Sequence, residues 1–497
     1  MSTPNNEYGE SSPIAPSAAG TAALGAMGST KDRAAKYFRG KRITVMGLGL
    51  LGRGVGDAHY LAGCGAELIV TDLKSHEDLA ESLDKLKNFS NIKFVLGEHR
   101  LEDFRDRDLI LKAAGVPLDS PYIAEAKKHS VSVRMSADLF MEISGVQTIG
   151  ITGTRGKSTV THMLLAILKE AEKPVVLGGN VRGVSTLALL SEVTPAHTAI
   201  LELDSWQCQG LGEARMSPSV AVFTTFFPDH LNYYARASKD ASKKSSENTE
   251  QNLTESSAYK EGLHAYLADK ANIFLYQKPE DTFVLGAQAA SIVQEHYSER
   301  IRARTVIAGA EDFPHHWKLQ LPGAHNRSNA ALALESARAL KIEDAVSRRA
   351  LEQFSGVPGR LELVRTHNGL RFYNDTTATT PEATLAALAA LDAGEHNLIL
   401  IIGGADKGLA VDALLSALRA HTKYVVLLAG TGTDRVRGEL SSSPVYNDLA
   451  RAFDDAVAHA EIGDAVVLSP AFASFGMFKN EFDRGDQFNA LVRAREI

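Results

Sequence analysis

Residues 150–159 read Gly-Ile-Thr-Gly-Thr-Arg-Gly-Lys-Ser-Thr. An apolar run at 148–151 leads into them, and an apolar helical stretch at 161–168 follows. In such a strand–loop–helix setting, glycines let backbone N–H groups turn towards a phosphate, and the helix N-terminus adds partial positive charge. Lys157 can then reach the terminal phosphates of a nucleotide, and the Ser158 hydroxyl can ligate Mg2+. The spacing departs from the strict GxxxxGK(S/T) form, because position 151 is Ile and the nearest glycines are 150 and 153. The bland alternative is a glycine-rich turn carrying a surface lysine. Gly-Lys-Ser-Thr between a strand and a helix argues against it.

A second glycine cluster, Gly47-Leu-Gly49-Leu-Leu-Gly52, follows the apolar strand at 42–46, and Asp72 ends the next strand, 20 residues past Gly52. GxGxxG is met at 47, 49 and 52. Alone it is compatible with NAD, with another nucleotide or with close packing. Other polar residues sit where strands should end. Glu202 closes the run at 198–202, where a carboxylate can bind Mg2+. Asp229 and His230 close 221–230, at the point where a sheet presents ligands. Asp375, Thr376 and Thr377 follow the strand at 370–373 and can reach across a cleft. Lys407, after the strand at 398–402, can hold a carboxylate. Solvated loop polarity is the plain alternative for each of these.

The elements that must position these residues alternate strand and helix. Residues 1–37, rich in Ser, Pro, Gly and Ala, read as a flexible tail with too little apolar surface to offset ordering. Strands at 42–46, 67–71 and 109–111, with a helix to about Gly63, outline a Rossmann-like domain at 38–144. Strands at 148–151, 174–177, 198–203 and 219–224 outline a central P-loop domain at 145–356, whose polar stretch 236–258 reads as an exposed insertion. Strands at 371–373, 398–402, 424–428 and 465–468, with a helix at 381–391, outline a C-terminal Rossmann-like domain at 357–497. The alternation predicts parallel sheets throughout and three α/β domains in series.

The whole chain of 497 residues is long enough for those three cores. A net charge of -7 argues against a general nucleic-acid binder. Two cysteines, Cys64 and Cys208, cannot form a disulfide framework for this size. No run of 18 apolar residues or signal-peptide pattern is present, which predicts a cytoplasmic protein without a membrane partner.

Taken together, the motifs resemble the Mur ligases, and among them the glutamate-adding members, over about residues 40–495. Gly153-Thr154-Arg155-Gly156-Lys157-Ser158-Thr159 is similar to the family's phosphate loop, with Arg155 where Asn is commoner. Gly179-Asn180 resembles its GGN element, in which the Asn contacts substrate. Glu202-Leu-Asp204-Ser-Trp-Gln207 resembles E-L-S-S-F-Q, with Asp204 replacing a hydroxyl residue. Asp229-His230 resembles a D-H pair beside magnesium, and Lys270 the lysine that the family carbamylates into a metal-binding anion. Leu321-Pro-Gly-Ala-His-Asn326-Arg-Ser-Asn329 is similar to LPGxHNxxN, near adenine and ribose. Arg360 in Pro358-Gly-Arg-Leu-Glu and Asp375 in Asn374-Asp375 match nucleotide contacts. Thr379, Lys407, Ser474 and Phe478 match glutamate contacts, and Leu50, Leu51, Gly52, Asp72 and Lys74, with Asn180 and Gln207, match the UDP-substrate site.

The resemblance implies a three-domain monomer that binds UDP-N-acetylmuramoyl-L-alanine, ATP and glutamate. It would join them through an acyl phosphate, with Mg2+ held by Ser158, Glu202, His230 and carbamylated Lys270, in cell-wall peptidoglycan precursor synthesis. D-glutamate is the expected amino acid. One departure touches it: the family's N-D-S-K-A-T-N reads Asn374-Asp-Thr-Thr377-Ala-Thr-Thr here, so a substrate-contacting lysine is replaced by Thr377. An L-glutamate-adding subgroup is therefore an alternative. A folylpolyglutamate-type ligase would lack the separate domain at 38–144. A regulatory P-loop protein would bind ATP without forming an amide. A dehydrogenase would leave the phosphate loop and Lys270 unexplained.

Overall fold

The computed structural model describes residues 28–49, 52–181, 183–229, 231–234, 257–321, 323–391, 394 and 396–495. It has three α/β domains, each built on one sheet. In the first sheet, β1 (Arg42–Met46), β2 (Glu67–Asp72), β3 (Ile92–Leu96), β4 (Leu109–Lys112) and β5 (Ser132–Arg134) lie in the order β3-β2-β1-β4-β5, all parallel. The order reverses at β1, so the glycine turn after β1 opens at a switch point, where such sheets bind ligands.

A helix, α1 (Thr30–Phe38), precedes this sheet, which corrects the expectation of a flexible tail as far as residue 37. Ser29 and Asp32 form a capping box at its start, and Thr30, Ala34 and Phe38 bury one face at four-residue spacing. Composition hid this helix because one aromatic and one alanine suffice to dock so short a segment. Residues 1–27 lie outside the described residues. The expected helix after β1 is α2 (Arg53–Gly63).

The second sheet contains β6 (Gln147–Thr152), β7 (Val175–Gly179), β8 (Thr198–Glu202), β9 (Val220–Phe223), β10 (Thr282–Gly286) and β11 (Arg304–Ala308), in the order β11-β10-β9-β6-β8-β7. The strand leading into the phosphate loop, β6, is therefore flanked by β9 and β8. Around it lie α3 (Lys157–Glu170), α4 (Ser205–Ala214), α5 (Ser257–Ala271) and α6 (Ala324–Ala339). The expected insertion at 236–258 falls outside the described residues except for its last two, which begin α5. Ile149, Ile151, Val160, Leu164 and Leu334 are among the buried residues of this domain's core.

The third sheet orders β12 (Glu362–His367), β13 (Leu370–Asn374), β14 (Leu398–Gly403), β15 (Thr422–Leu428), β16 (Val445–Tyr446) and β17 (Ala465–Leu468) as β12-β13-β17-β14-β15-β16. Here the expectation of a wholly parallel sheet is corrected, because β12 pairs antiparallel with β13. The hairpin turns on Asn368-Gly369, both at positive φ (49° and 78°), as a two-residue loop between right-twisted strands requires. Helix α7 (Glu481–Ala494) closes the chain. No helix of the described residues is long and apolar enough to cross a membrane, and both cysteines are free.

Two compact units divide the described chain. One comprises the residues up to 147 with 178–199 and 210–214, and the other comprises 148–177, 200–209 and those from 215 onward.

Candidate active site

Within the second unit, the loop between β6 and α3 is walled by its neighbours in the sheet. From the β9 side, Thr154 N donates to Thr225 O (2.7 Å) and Arg155 N to Thr225 Oγ1 (2.9 Å). Thr224 Oγ1 donates to Arg155 O at 2.5 Å. The fit leaves no room for side chains at the loop's glycines. Gly153 sits at φ +139°, and a Cβ there would lie 2.0 Å from Thr224 Oγ1; at Gly156 (φ +87°) it would lie 2.5 Å from Asn329 Oδ1. From the β8 side, Ser158 Oγ donates to Glu202 Oε1 at 2.9 Å. From α5, Lys270 Nζ donates to Gly153 O (2.9 Å) and Thr152 Oγ1 (3.3 Å). Lys157 Nζ donates to Gly153 O (2.9 Å) and Thr154 O (3.1 Å).

Lys157, Ser158, Glu202 and Lys270 are thus gathered at one loop, whereas His230 lies outside the described residues. Lys270 is 1% exposed, and burial, aided by the charge of Lys157, lowers its pKa to about 7. Burial of the Lys157 ammonium lowers its pKa too, against the opposing pull of Glu202.

Beside the loop opens a cavity of about 320 Å³, lined in part by Arg155, Gly156, Asn326, Asn329, Arg360 and Asp375. These are the residues expected to hold the nucleotide, brought together from α6, the start of the third domain and the end of β13. The Asp375 carboxylate accepts from Leu361 N (3.0 Å) and Ser469 Oγ (2.7 Å), and burial raises its pKa to about 7.

In the third sheet, β13, β17 and β14 are neighbours, so the loops after them meet. Lys407 Nζ donates to Thr379 Oγ1 at 2.9 Å. Ala405 and Ala473 exchange backbone hydrogen bonds of 2.8 and 3.0 Å, which clips the loop of Lys407 to that of buried Ser474. Phe478 N donates to Ser474 O at 3.3 Å. Sequence reasoning missed Arg484, which is fully buried and donates to Thr376 Oγ1 (3.1 Å) and Thr376 O (2.9 Å). Nothing in its spacing on α7 separates it from a surface arginine.

The residues expected at the UDP-substrate site divide between the two units. In the first, Gly52 takes φ +84° to start α2, and Lys74 is exposed. The buried Asp72 carboxylate accepts from Leu48 N (2.8 Å), Gly49 N (3.1 Å) and Lys74 N (3.0 Å). Arg53 donates to Asn180 Oδ1 at 2.5 Å. Leu50 and Leu51 lie outside the described residues. Gln207 belongs to the second unit, where its Oε1 accepts from Asp204 N (3.1 Å) while Gln207 N donates to Asp204 Oδ1 (2.8 Å). That reciprocal pair is a capping box, and it gives Asp204 its place: an acid at the start of α4. Asp204→Ala is expected to cost about 1 kcal/mol of unfolding free energy in urea denaturation of the full chain. An unchanged midpoint would remove the capping role.

The chain matches family models described as the Mur ligase MurD-like N-terminal domain over residues 41–135, the Mur ligase middle domain over 151–337 and the Mur ligase glutamate ligase domain over 359–472. It is 37% identical to the UDP-N-acetylmuramoylalanine--D-glutamate ligase of Roseiflexus sp. (strain RS-1), covering 92% of this chain and 99% of that one. The chain belongs to the Mur ligase family. A second relative of this Mur ligase, from Clostridioides difficile (strain 630), carries the same name and is 30% identical over 92% of this chain and 99% of its own. Among solved structures, the fold is shared with the UDP-N-acetylmuramate-alanine ligase MurC of Thermotoga maritima, at TM-score 0.55 and 18% identity over 91% of this chain and 99% of that one. It is shared also with the MurF ligase of Thermotoga maritima in complex with ADP, at TM-score 0.53 and 16% identity over 86% and 96%.

Proposed function

We propose that this Mur ligase adds D-glutamate to the terminal carboxyl group of UDP-N-acetylmuramoyl-L-alanine at the expense of ATP, as a cytoplasmic monomer. The observation that carries the reading is the gathering of Lys157, Ser158, Glu202 and Lys270 at one phosphate loop, beside a cavity lined by the expected nucleotide contacts. The substrates are those in the names of its full-length relatives. In this reading the domain at 38–144 holds the UDP-sugar, that at 145–356 the ATP, and that at 357–497 the glutamate.

Magnesium takes hard oxygen ligands. The Ser158 hydroxyl and Glu202 carboxylate, 2.9 Å apart, supply two such oxygens and fit it. His230 and carbamylated Lys270 would complete the set. Burial keeps much of the Lys270 amine neutral near pH 7, and the neutral amine is the form that adds to CO2. Bound there, Mg2+ would neutralise charge on the phosphoryl group.

The chain's own groups account for the rest. The loop amides other than those of Thr154 and Arg155, which Thr225 engages, bind the phosphates together with Lys157. The substrate carboxylate attacks the γ-phosphorus, and the bond to the bridging oxygen breaks to release ADP. Lys407, Thr379 and Ser474 hold glutamate, whose neutral amine attacks the acyl carbon; the C–O bond to phosphate breaks, and the amine gives up one proton to the departing phosphate. Shielding from water matters because an acyl phosphate hydrolyses readily.

The test is phosphate release from ATP with UDP-N-acetylmuramoyl-L-alanine and D-glutamate, L-glutamate or a small amino-acid panel, with product mass read in parallel. Release with D-glutamate and a product heavier by one glutamyl residue is expected. Release with L-glutamate alone would move the enzyme to the L-adding subgroup and direct attention to Thr377. Failure of every amino acid to give an amide product would overturn the ligase reading.

A further inference from the structure

The wall of the phosphate loop is itself held from outside by a glutamine. Strands β6 and β10 flank β9, and their pairing with it ends at Thr152 and Leu285, both opposite Phe223. Residues 224–227 run on past that point and keep the alternation of a strand, in which successive backbone groups face opposite neighbours. Thr225 O accepts from Thr154 N at 2.7 Å. Phe227 N donates to Thr154 Oγ1 (3.0 Å), which donates in turn to Phe227 O (3.2 Å). These two residues therefore face the phosphate loop, and the backbone groups of Phe226 between them face the other way. On that side β10 has ended at Gly286 and the helix Ala287–Tyr297 has begun, so β10 no longer offers a backbone neighbour.

The side chain of Gln288 takes that place. Phe226 N donates to Gln288 Oε1 at 2.8 Å, and Gln288 Nε2 donates to Phe226 O at 3.0 Å. A primary amide carries an acceptor and a donor side by side, so it can satisfy both backbone groups of one residue as a neighbouring strand would. Gln288 is the second residue of its helix, and helical side chains lean towards the N-terminus, which brings it back over the end of β10. The segment it grips has little freedom elsewhere. The Phe226 ring is buried and stacks on Tyr266 with ring centres 5.5 Å apart, one turn of α5 before Lys270. At Gly286 a Cβ would lie 1.8 Å from Thr224 O.

We propose that Gln288 is a positioning residue of the ATP site, which holds residues 225–227 against the phosphate loop and so sets the place from which the loop presents Lys157. This rests on the ligase reading above. Gln288 acts through the Phe226 backbone and not on the substrate. Thr154 N and Arg155 N both donate to Thr225, so a shift of Thr225 carries the loop with it. Water can hydrogen-bond to Phe226 in place of the glutamine, but water is not anchored to a helix and holds nothing in position.

The test uses the full chain with Gln288→Ala, Gln288→Met and Gln288→Glu. It reads kcat for substrate-dependent phosphate release and, separately, amide hydrogen exchange of the protein without substrates. Gln288→Ala and Gln288→Met are each expected to lower kcat about tenfold, within the 10²-fold or so that a misplacement of about 1 Å costs. Exchange at the Thr154 and Arg155 amides should quicken about tenfold, while amides along β6 stay within about threefold of the parent. Gln288→Glu keeps an acceptor for Phe226 N but has no donor for Phe226 O, and should not restore the parental rate. Loop exchange in Gln288→Ala within about threefold of the parent would overturn the role, because water would then suffice. So would equal quickening along β6, which would make Gln288 a support of general stability. Parental turnover in Gln288→Met or Gln288→Glu would overturn it too, since shape alone would then hold the wall. A parent chain with no substrate-dependent release would instead remove the ligase reading, and the exchange readout would still decide whether Gln288 fixes the loop.

Discussion

Lys157→Ala will lower substrate-dependent phosphate release by about 10³-fold or more, the upper range for one electrostatic contact to the reacting group. The ammonium lies against Gly153 O and Thr154 O, at the turn assigned above to the nucleotide phosphates. Desolvation lowers its pKa, but Glu202 pulls the other way and favours the charged form that phosphate binding needs. The variant keeps the amides, the Gly153 and Gly156 turns and the Thr224–Thr225 wall, so ADP binding should weaken far less than turnover. Steady-state phosphate release and ADP titration on the same preparation check this. Turnover within tenfold of the parent would end the assignment of this loop to ATP.

Lys270→Ala is expected to lose about 10²–10³-fold in kcat and to regain part of it in millimolar acetate or formate. The amine is buried, touches the phosphate loop at Gly153 O, and has its pKa drawn down to about 7 by burial and by Lys157. A permanently charged lysine beside a second lysine would be an unfavourable arrangement. On the reading proposed above, addition of CO2 would convert it to an anion that complements Lys157. A free carboxylate diffusing into the space left by the side chain can replace that anion, whereas it cannot replace a cation. Chemical rescue therefore separates the two roles. Rescue by methylamine and not by acetate would mean that Lys270 works as an ammonium, and an unimpaired variant would mean that it has no part in the reaction.

The phosphate loop was legible because its parts are neighbours in sequence and the strand before it and helix after it are strongly apolar. The strands near 42–46, 198–203, 371–373, 398–402 and 465–468 were readable for the same reason and appear as β1, β8, β13, β14 and β17. Pairing was less legible. Nothing local says that β8 and β9 flank β6, so nothing in the sequence marks Thr224 and Thr225 as the wall of the loop. The antiparallel β12 did carry a signal, Asn368-Gly369, but the alternation of strands and helices argued for a parallel neighbour. Asp204 looked like a lost hydroxyl until the capping pair with Gln207 gave the carboxylate a partner. Arg484 shows the general limit, because a buried cation satisfied by Thr376 is indistinguishable in sequence from one in water.

The bonds around the phosphate loop also bear on how the chain is made. Ser158 reaches Glu202 across 44 residues, Arg155 reaches Thr225 across 70, and Gly153 is met by Lys270 across 117. Each closure must await the later segment, and contacts so far apart in sequence form slowly. A nascent chain that has emerged only as far as α3 holds every residue of the phosphate motif and none of its walls. The walls of the phosphate loop are therefore completed late in synthesis, only once α5 has cleared the ribosome.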